Sequence, residues 1–175
     1  MMVYIKEVRF PSDEDGLFEL DSDAEVHRYL GNKPVTNIEQ IHEVIRFIRQ
    51  QYSDNGIGRW AVIEKATGSF VGWSGLKLVK ETMNNHTNFY DVGYRLLKKH
   101  WGKGFATESA LATLDYGFKT FQPNHIYGMA DVENLASCHV LKKCGLGYVE
   151  TFELDGTPHH WFEISREEWV ERGAV

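Results

Sequence analysis

Two cysteines in 175 residues, Cys138 and Cys144, are too few to organise this chain. They fall six apart on a predicted helix, on different sides of it and beyond disulfide reach. No CxxC pair exists, so no zinc site is indicated and no metal is expected. Unpaired thiols fit a reduced, cytoplasmic protein. Positive charge is also scarce: 19 Lys and Arg stand against 25 Asp and Glu, for a net charge of -6. Non-specific nucleic-acid binding needs clustered Lys and Arg to neutralise phosphates, so no nucleic-acid partner is expected. The same acidity is compatible with a cationic or amine-bearing partner. No apolar run approaches the roughly 20 residues that span a bilayer. Lys6, Glu7 and Arg9 interrupt the N-terminus, so it has no signal-peptide core, and no membrane association is expected. Repeats, linkers and low-complexity segments are missing too.

What is present is ordinary for a globular chain. The length suits a single domain over residues 1–175, burying roughly 70% of its unfolded surface. Aromatics at 13% favour a well-filled core or a stacked cleft. Val3 to Arg9 reads as a strand. Helix-start signals follow at Ser12, at Ser22 with Glu25 (a short helix closed by Gly31), and at Thr36 with Glu39. In the last of these, Ile38, Ile41, Val44, Ile45 and Ile48 share one helical face. Strands are predicted at Trp60 to Glu64, Ser69 to Leu78 and Tyr90 to Leu97, with a polar loop, Lys80 to Asn88, before the third. Helix Ala106 to Phe121, strand His125 to Ala130 and helix Asn134 to Cys144 come next. Val149 to Leu154 and Thr157 to Ser165 then pair across Asp155-Gly156, and Ser165 with Glu168 caps a last short helix. The order predicts an α/β (α+β) mixed sheet, largely antiparallel, with helices on both faces.

The segment His100-Trp101-Gly102-Lys103-Gly104-Phe105-Ala106-Thr107 joins a strand to an amphipathic helix. Two glycines one residue apart allow a sharp turn that points several N–H groups one way, with a helix dipole behind them. That is a receptor for a pyrophosphate. A dinucleotide fingerprint would need a third glycine where Thr107 stands, and the spacing of a P-loop is not met. Coenzyme A is the third candidate.

On three stretches the chain resembles the GNAT superfamily of acyl-CoA-dependent N-acetyltransferases, nearest to its RimJ/RimL-like branch, with ribosomal-protein N-terminal and spermidine acetyltransferases as relatives. The stretches are Asp91-Val92-Gly93-Tyr94-Arg95-Leu96, Trp101 to Glu108, and Asn134-Leu135-Ala136-Ser137 running to Lys143-Cys144-Gly145. Lys99 stands where the superfamily's turn usually has Gln or Arg. The resemblance implies the GNAT fold and acetyl-CoA as donor. It implies that main-chain groups of Tyr94, Arg95 and Leu96 pair with the pantetheine arm. Trp101, Gly102, Lys103, Gly104, Phe105, Ala106 and Thr107 would form the pyrophosphate turn, Asn134 would bond the pantetheine, and Lys143 would approach the phosphates.

Acetyl transfer to an amine requires loss of an ammonium proton, polarisation of the thioester carbonyl and stabilisation of the departing thiolate. Direct attack in a ternary complex needs no covalent enzyme intermediate. By resemblance to histone-acetylating relatives, Asp91 is the candidate general base; a water chain to solvent and an ordinary strand-face carboxylate are the alternatives. Many family members place a tyrosine seven residues after the asparagine, but here Leu141 stands there. Ser137 is the hydroxyl offered instead, either to the thiolate or simply to the helix backbone. His100 is expected in a solvated loop, Trp101 packed as the anchor of the turn, and Cys138 in the core. The acidic run Asp13 to Glu25 overhangs the acceptor site in this fold, as a lure for amines or as capping and solvated carboxylates. The expected function is acetylation of a primary amine by a monomer or homodimer. A protein N-terminal amino group is placed first as acceptor, and a small amine such as a polyamine or aminoglycoside second. A non-catalytic acyl-CoA-binding module is the alternative.

Overall fold

The computed structural model describes residues 1–173. Seven strands form one sheet in the order β1-β2-β3-β4-β5-β7-β6. They are β1 (Val3–Glu7), β2 (Arg59–Glu64), β3 (Phe70–Val79), β4 (Phe89–Leu96), β5 (His125–Asp131), β6 (Gly147–Leu154) and β7 (Thr157–Ser165). Every neighbouring pair is antiparallel except β4 with β5. Side chains alternate across the strands, so each strand serves two cores. On one face Ala61, Ile63 and Trp73 meet Leu17 and Leu20 of α1 (Glu14–Ser22) and Ile41, Ile45 and Ile48 of α2 (Ile38–Asn55). On the other, Leu76, Val92 and Ile126 meet Ala110, Leu114 and Phe118 of α3 (Phe105–Thr120) and Leu141 of α4 (Leu135–Lys143). A buried hydroxyl pair, Ser74 Oγ to Thr113 Oγ1 at 3.2 Å, joins β3 to α3 within that second layer.

Local chemistry explains where the elements begin and end. Helix α2 starts one residue later than the Thr36 signal predicts. Asn37 Oδ1 accepts from Gln40 N, while the Gln40 side chain reaches back to the main-chain N–H groups of both Thr36 and Asn37. The short helix predicted after Ser22 does not form. Ser22 ends α1, Asp23 Oδ1 accepts from Glu25 N at 2.8 Å, and a series of turns runs through to Gly31. An aspartate side chain that satisfies a main-chain donor two residues on offers the backbone a turn in place of a helix. Asp155 and Gly156 adopt φ of 50° and 77°, the left-handed pair of a tight hairpin. Ser165 and Glu168 form the reciprocal cap of α5 (Arg166–Glu171).

Candidate functional site

Strand β4 stays paired with β3 from Phe89 to Leu96, but it pairs with β5 at only two positions, Tyr90 with Ile126 and Asp91 with Tyr127. Meanwhile β5 follows β7 along its whole length, from His125 to Asp131. The two parallel strands therefore part after Asp91, and the β4 edge from Val92 to Leu96 faces a wedge without a strand partner. Main-chain donors and acceptors on such an edge can pair with any extended chain laid along it. Asp91 marks the apex.

The mouth of the wedge leads to the glycine turn. After Leu96 the chain makes a 3-10 turn, Lys98–His100, and enters α3 through Gly102 and Gly104, whose φ values are 72° and 86°. Gly104 is the N-cap and offers no side chain, so the first-turn amides of α3 have no capping acceptor. Glu108, the one acidic residue of that turn, is directed away: its Oε1 accepts from Met2 N at 2.6 Å and Val3 N at 2.9 Å. Phe105 is buried with Val3, Val62, Val71 and Leu96 and pins the helix start, leaving Gly102, Lys103 and Gly104 exposed. Trp101 anchors the turn, but not by packing as expected. The residue is 46% exposed, and the anchor is the indole Nε1 donating to Leu96 O at 2.8 Å. His100 also departs from expectation. It is buried against Phe105 with neither ring nitrogen partnered, and burial together with Lys103 lowers its pKa.

Two side-chain groups flank the wedge from opposite faces. Asp91 projects on the face of α1 and α2. Its Oδ1 is sealed from solvent without a hydrogen bond, and burial pushes the carboxyl pKa from 3.8 up to about 7 against the pull of Lys77 and Arg59. A carboxyl that titrates near neutrality can accept a proton from an ammonium far better than an exposed aspartate. On the opposite face, the Tyr94 hydroxyl donates to Ser137 O at 2.9 Å and lies 3.1 Å from Ser137 Oγ. Burial holds the Tyr94 phenol well above its ordinary pKa. Asn134 is the N-cap of α4, its Oδ1 accepting from Ser137 N at 3.1 Å. That bond engages the carboxamide oxygen and leaves the NH2 group for a ligand.

The structure thus brings Tyr94, Asn134 and Ser137 together, with Asp91 across the sheet from them. The Tyr94 side chain is the part that sequence spacing could not supply, because 43 residues separate it from Ser137. Cys144 Sγ lies 3.8 Å from Thr107 O, which places the end of α4, and exposed Lys143 with it, beside the first turn of α3. Arg95 has a second attachment, Nη1 to Asp21 Oδ1 at 2.6 Å. The acidic run is engaged internally. Asp13 bonds Lys6 and Arg9 N, Glu14 bonds His42, Glu19 bonds Lys99, and Glu25 lies 3.7 Å from Lys98. Most of its carboxylates cap or pair within the protein. Among the described residues no group of three or more His, Cys, Asp or Glu is placed to hold a metal.

A splayed parallel strand pair that opens onto an uncapped helix N-terminus is a receptacle for a long thiol cofactor with a pyrophosphate. The sequence matches the acetyltransferase (GNAT) domain family over residues 7–147, and the chain belongs to that family. It is an acetyltransferase with acetyl-CoA as its donor. It is 33% identical over 164 residues to the FsC-acetyl coenzyme A-N(2)-transacetylase of Aspergillus fumigatus, covering 87% of this chain and 69% of that one. It is 27% identical over 148 residues to the spermidine N(1)-acetyltransferase of Escherichia coli K12, covering 84% and 71%. The crystal structure of spermidine N-acetyltransferase from Vibrio cholerae with CoA and spermine superposes with a TM-score of 0.76 over 97% of this chain and 98% of that one. At 18% identity that likeness shows the shared fold.

Proposed function

We propose that residues 1–175 form one N-acetyltransferase domain of the RimJ/RimL-like branch that acetylates a primary amine by direct attack in a ternary complex. The observation that carries this reading is the wedge between β4 and β5, with Asp91 at its apex and the glycine turn at its mouth. Pantetheine lies along Tyr94, Arg95 and Leu96 and takes a further bond from Asn134. The pyrophosphate sits on the amides of Gly102 to Thr107, with Lys143 and Lys103 supplying positive charge. With the thioester at the apex, the amine approaches from the Asp91 face and gives its proton to that carboxylate. Nitrogen attacks the carbonyl carbon, the tetrahedral adduct collapses as the C–S bond breaks, and the second proton lost from nitrogen passes to the departing sulfur, which leaves as the thiol. The Ser137 hydroxyl, held by Tyr94, donates a hydrogen bond to the departing thiolate from the other face.

The sequence places a protein N-terminal amino group first as acceptor and a small amine second. The likeness to a spermidine N(1)-acetyltransferase over 84% of the chain favours the small amine. Two buried free thiols, Cys138 and Cys144, support a cytoplasmic setting for a monomer or homodimer. Thiol release from acetyl-CoA, measured against peptide N-termini, polyamines, aminoglycosides and amino acids, tests the reading. Sustained release with an amine is expected. CoA binding with no release across the whole panel would contradict it.

A further inference from the structure

One cation on the acceptor face has no role in the chemistry above. Residues directly opposite across antiparallel strands share a face. Three rows can therefore be read across the face that Asp91 occupies. Arg95 lies opposite Trp73 and Trp73 opposite Ala61; Gly93 lies opposite Gly75 and Gly75 opposite Arg59; Asp91 lies opposite Lys77. The middle row is two glycines and an arginine. The Trp73 ring leans over it, 3.3 Å from where a Cβ on Gly93 would stand, and the Arg59 guanidinium lies 4.5 Å from the centre of that ring. Arg59 thus reaches back over β3 toward β4, where its charge acts on Asp91.

The two arginines on this face are not equivalent. Arg95, 5.4 Å from the same ring, is held by Asp21. Among the described residues, the Arg59 side chain makes no hydrogen bond or ion pair; of the two carboxyls whose charge acts on it, Asp21 is taken by Arg95 and Asp91 leaves its Oδ1 unpartnered. Burial and the neighbouring Arg95 both disfavour the charged form of Arg59. A guanidinium kept charged in such a place without a directly bonded counter-ion is costly, and a planar oxyanion fits its fork. CoA cannot be the source of that anion. The wedge opens on the β5 side of β4, whereas Arg59 stands two strands away on the other side. Lys77 adds a second cation beside Asp91, also without a carboxylate bond, so a polycation would meet like charge here.

We infer that Arg59 binds a carboxylate carried by the acceptor itself, so that the substrate class is a small amine bearing a carboxylate, an amino acid or close analogue, and not a polyamine. This rests on the acetyl-transfer reading of the wedge and goes beyond it in naming the acceptor's second group. The amine meets Asp91 while the carboxylate forms a bidentate pair with Arg59, the substrate's body lying against Trp73.

The test uses the whole protein, acetyl-CoA and matched acceptors: each of the common amino acids, its carboxamide, its decarboxylated amine, its aminophosphonate analogue, and spermidine. The best amino acid is expected to exceed its carboxamide in kcat/KM by about tenfold to a hundredfold, the range for a charge-assisted bidentate pair. In Arg59→Met that ratio is expected to fall toward one, mainly through KM, and Arg59→Lys to recover part of it. Should the variants not fold, the wild-type enzyme still decides. The deaminated acid of the best substrate should compete with the acceptor, and its amide should not. Carboxamides or spermidine matching the acids, an unchanged ratio in Arg59→Met, or no competition by the deaminated acid would overturn the role of Arg59 while acetyl transfer stands. A preference for the phosphonate over the carboxylate would overturn the assignment of the anion. Absence of thiol release with every amine, with acetyl-CoA bound, would overturn the acetyl-transfer reading and this inference with it.

Discussion

Replacing Asp91 with Asn separates the stability and the chemistry of one buried carboxyl. In the folded protein this group titrates near 7 against an ordinary 3.8, because burial outweighs Lys77 and Arg59. A raised folded pKa means that the folded state holds the proton more tightly than the unfolded chain. The favourable contribution is therefore complete below about pH 4 and is lost as pH rises through 7. The full rise corresponds to about 4 kcal/mol at 1.36 kcal/mol per tenfold change in proton affinity. Between pH 5 and pH 8 the loss is about 2–3 kcal/mol. Asn cannot ionise, so the variant should escape that loss, although its unpartnered amide oxygen costs about 1–3 kcal/mol at every pH. Urea titrations of ligand-free protein at pH 5 and pH 8 read the difference directly. Stability relative to wild type should improve by about 2–3 kcal/mol on going from pH 5 to pH 8. In the same variant kcat/KM should fall about 100-fold or more, and the wild-type inflection near pH 7 should vanish. Parallel pH dependence of stability in the two proteins would refute a carboxyl that titrates near neutrality.

Ser137→Ala should slow turnover about tenfold while CoA affinity, followed by calorimetry, changes by less than threefold; undiminished turnover removes the hydroxyl from the departure of the thiolate. Gly104→Val places a β-branched residue at φ 86°, a strained backbone with a side chain at the mouth of the anion site. CoA binding should be abolished in a variant that remains folded by circular dichroism, and retained micromolar affinity would contradict the site. Leu114→Ala empties a fully buried position between α3 and the sheet and should cost about 2–5 kcal/mol by urea denaturation, with no change in the pH dependence of kcat/KM.

The sheet was legible because its strands alternate and its turns announce themselves. Asp155-Gly156 fixes the last hairpin by its own chemistry, and Ser165 with Glu168 caps α5 as their spacing demands. The glycine turn was legible for the same reason, since Gly102 and Gly104 both need left-handed backbone. Failures came where several partners compete for one group. Ser22 and Glu25 have capping spacing, yet Asp23 takes the Glu25 amide first. His100 looks like a loop residue among lysines but is drawn under the turn by Phe105. The wedge itself has no local sequence mark, because it exists only through β5 following β7 away from β4. Tyr94 against Ser137 and Arg59 against Trp73 are likewise products of register, joining positions that no spacing rule connects.

Amide hydrogen exchange, with and without CoA, reads both halves of the cofactor site in one experiment. The unpaired edge from Val92 to Leu96 and the uncapped amides from Gly102 to Thr107 should gain protection together on binding, while β1 and β6 exchange as before. Protection confined to other segments, or none at saturating CoA, would contradict a cofactor held between β4 and β5.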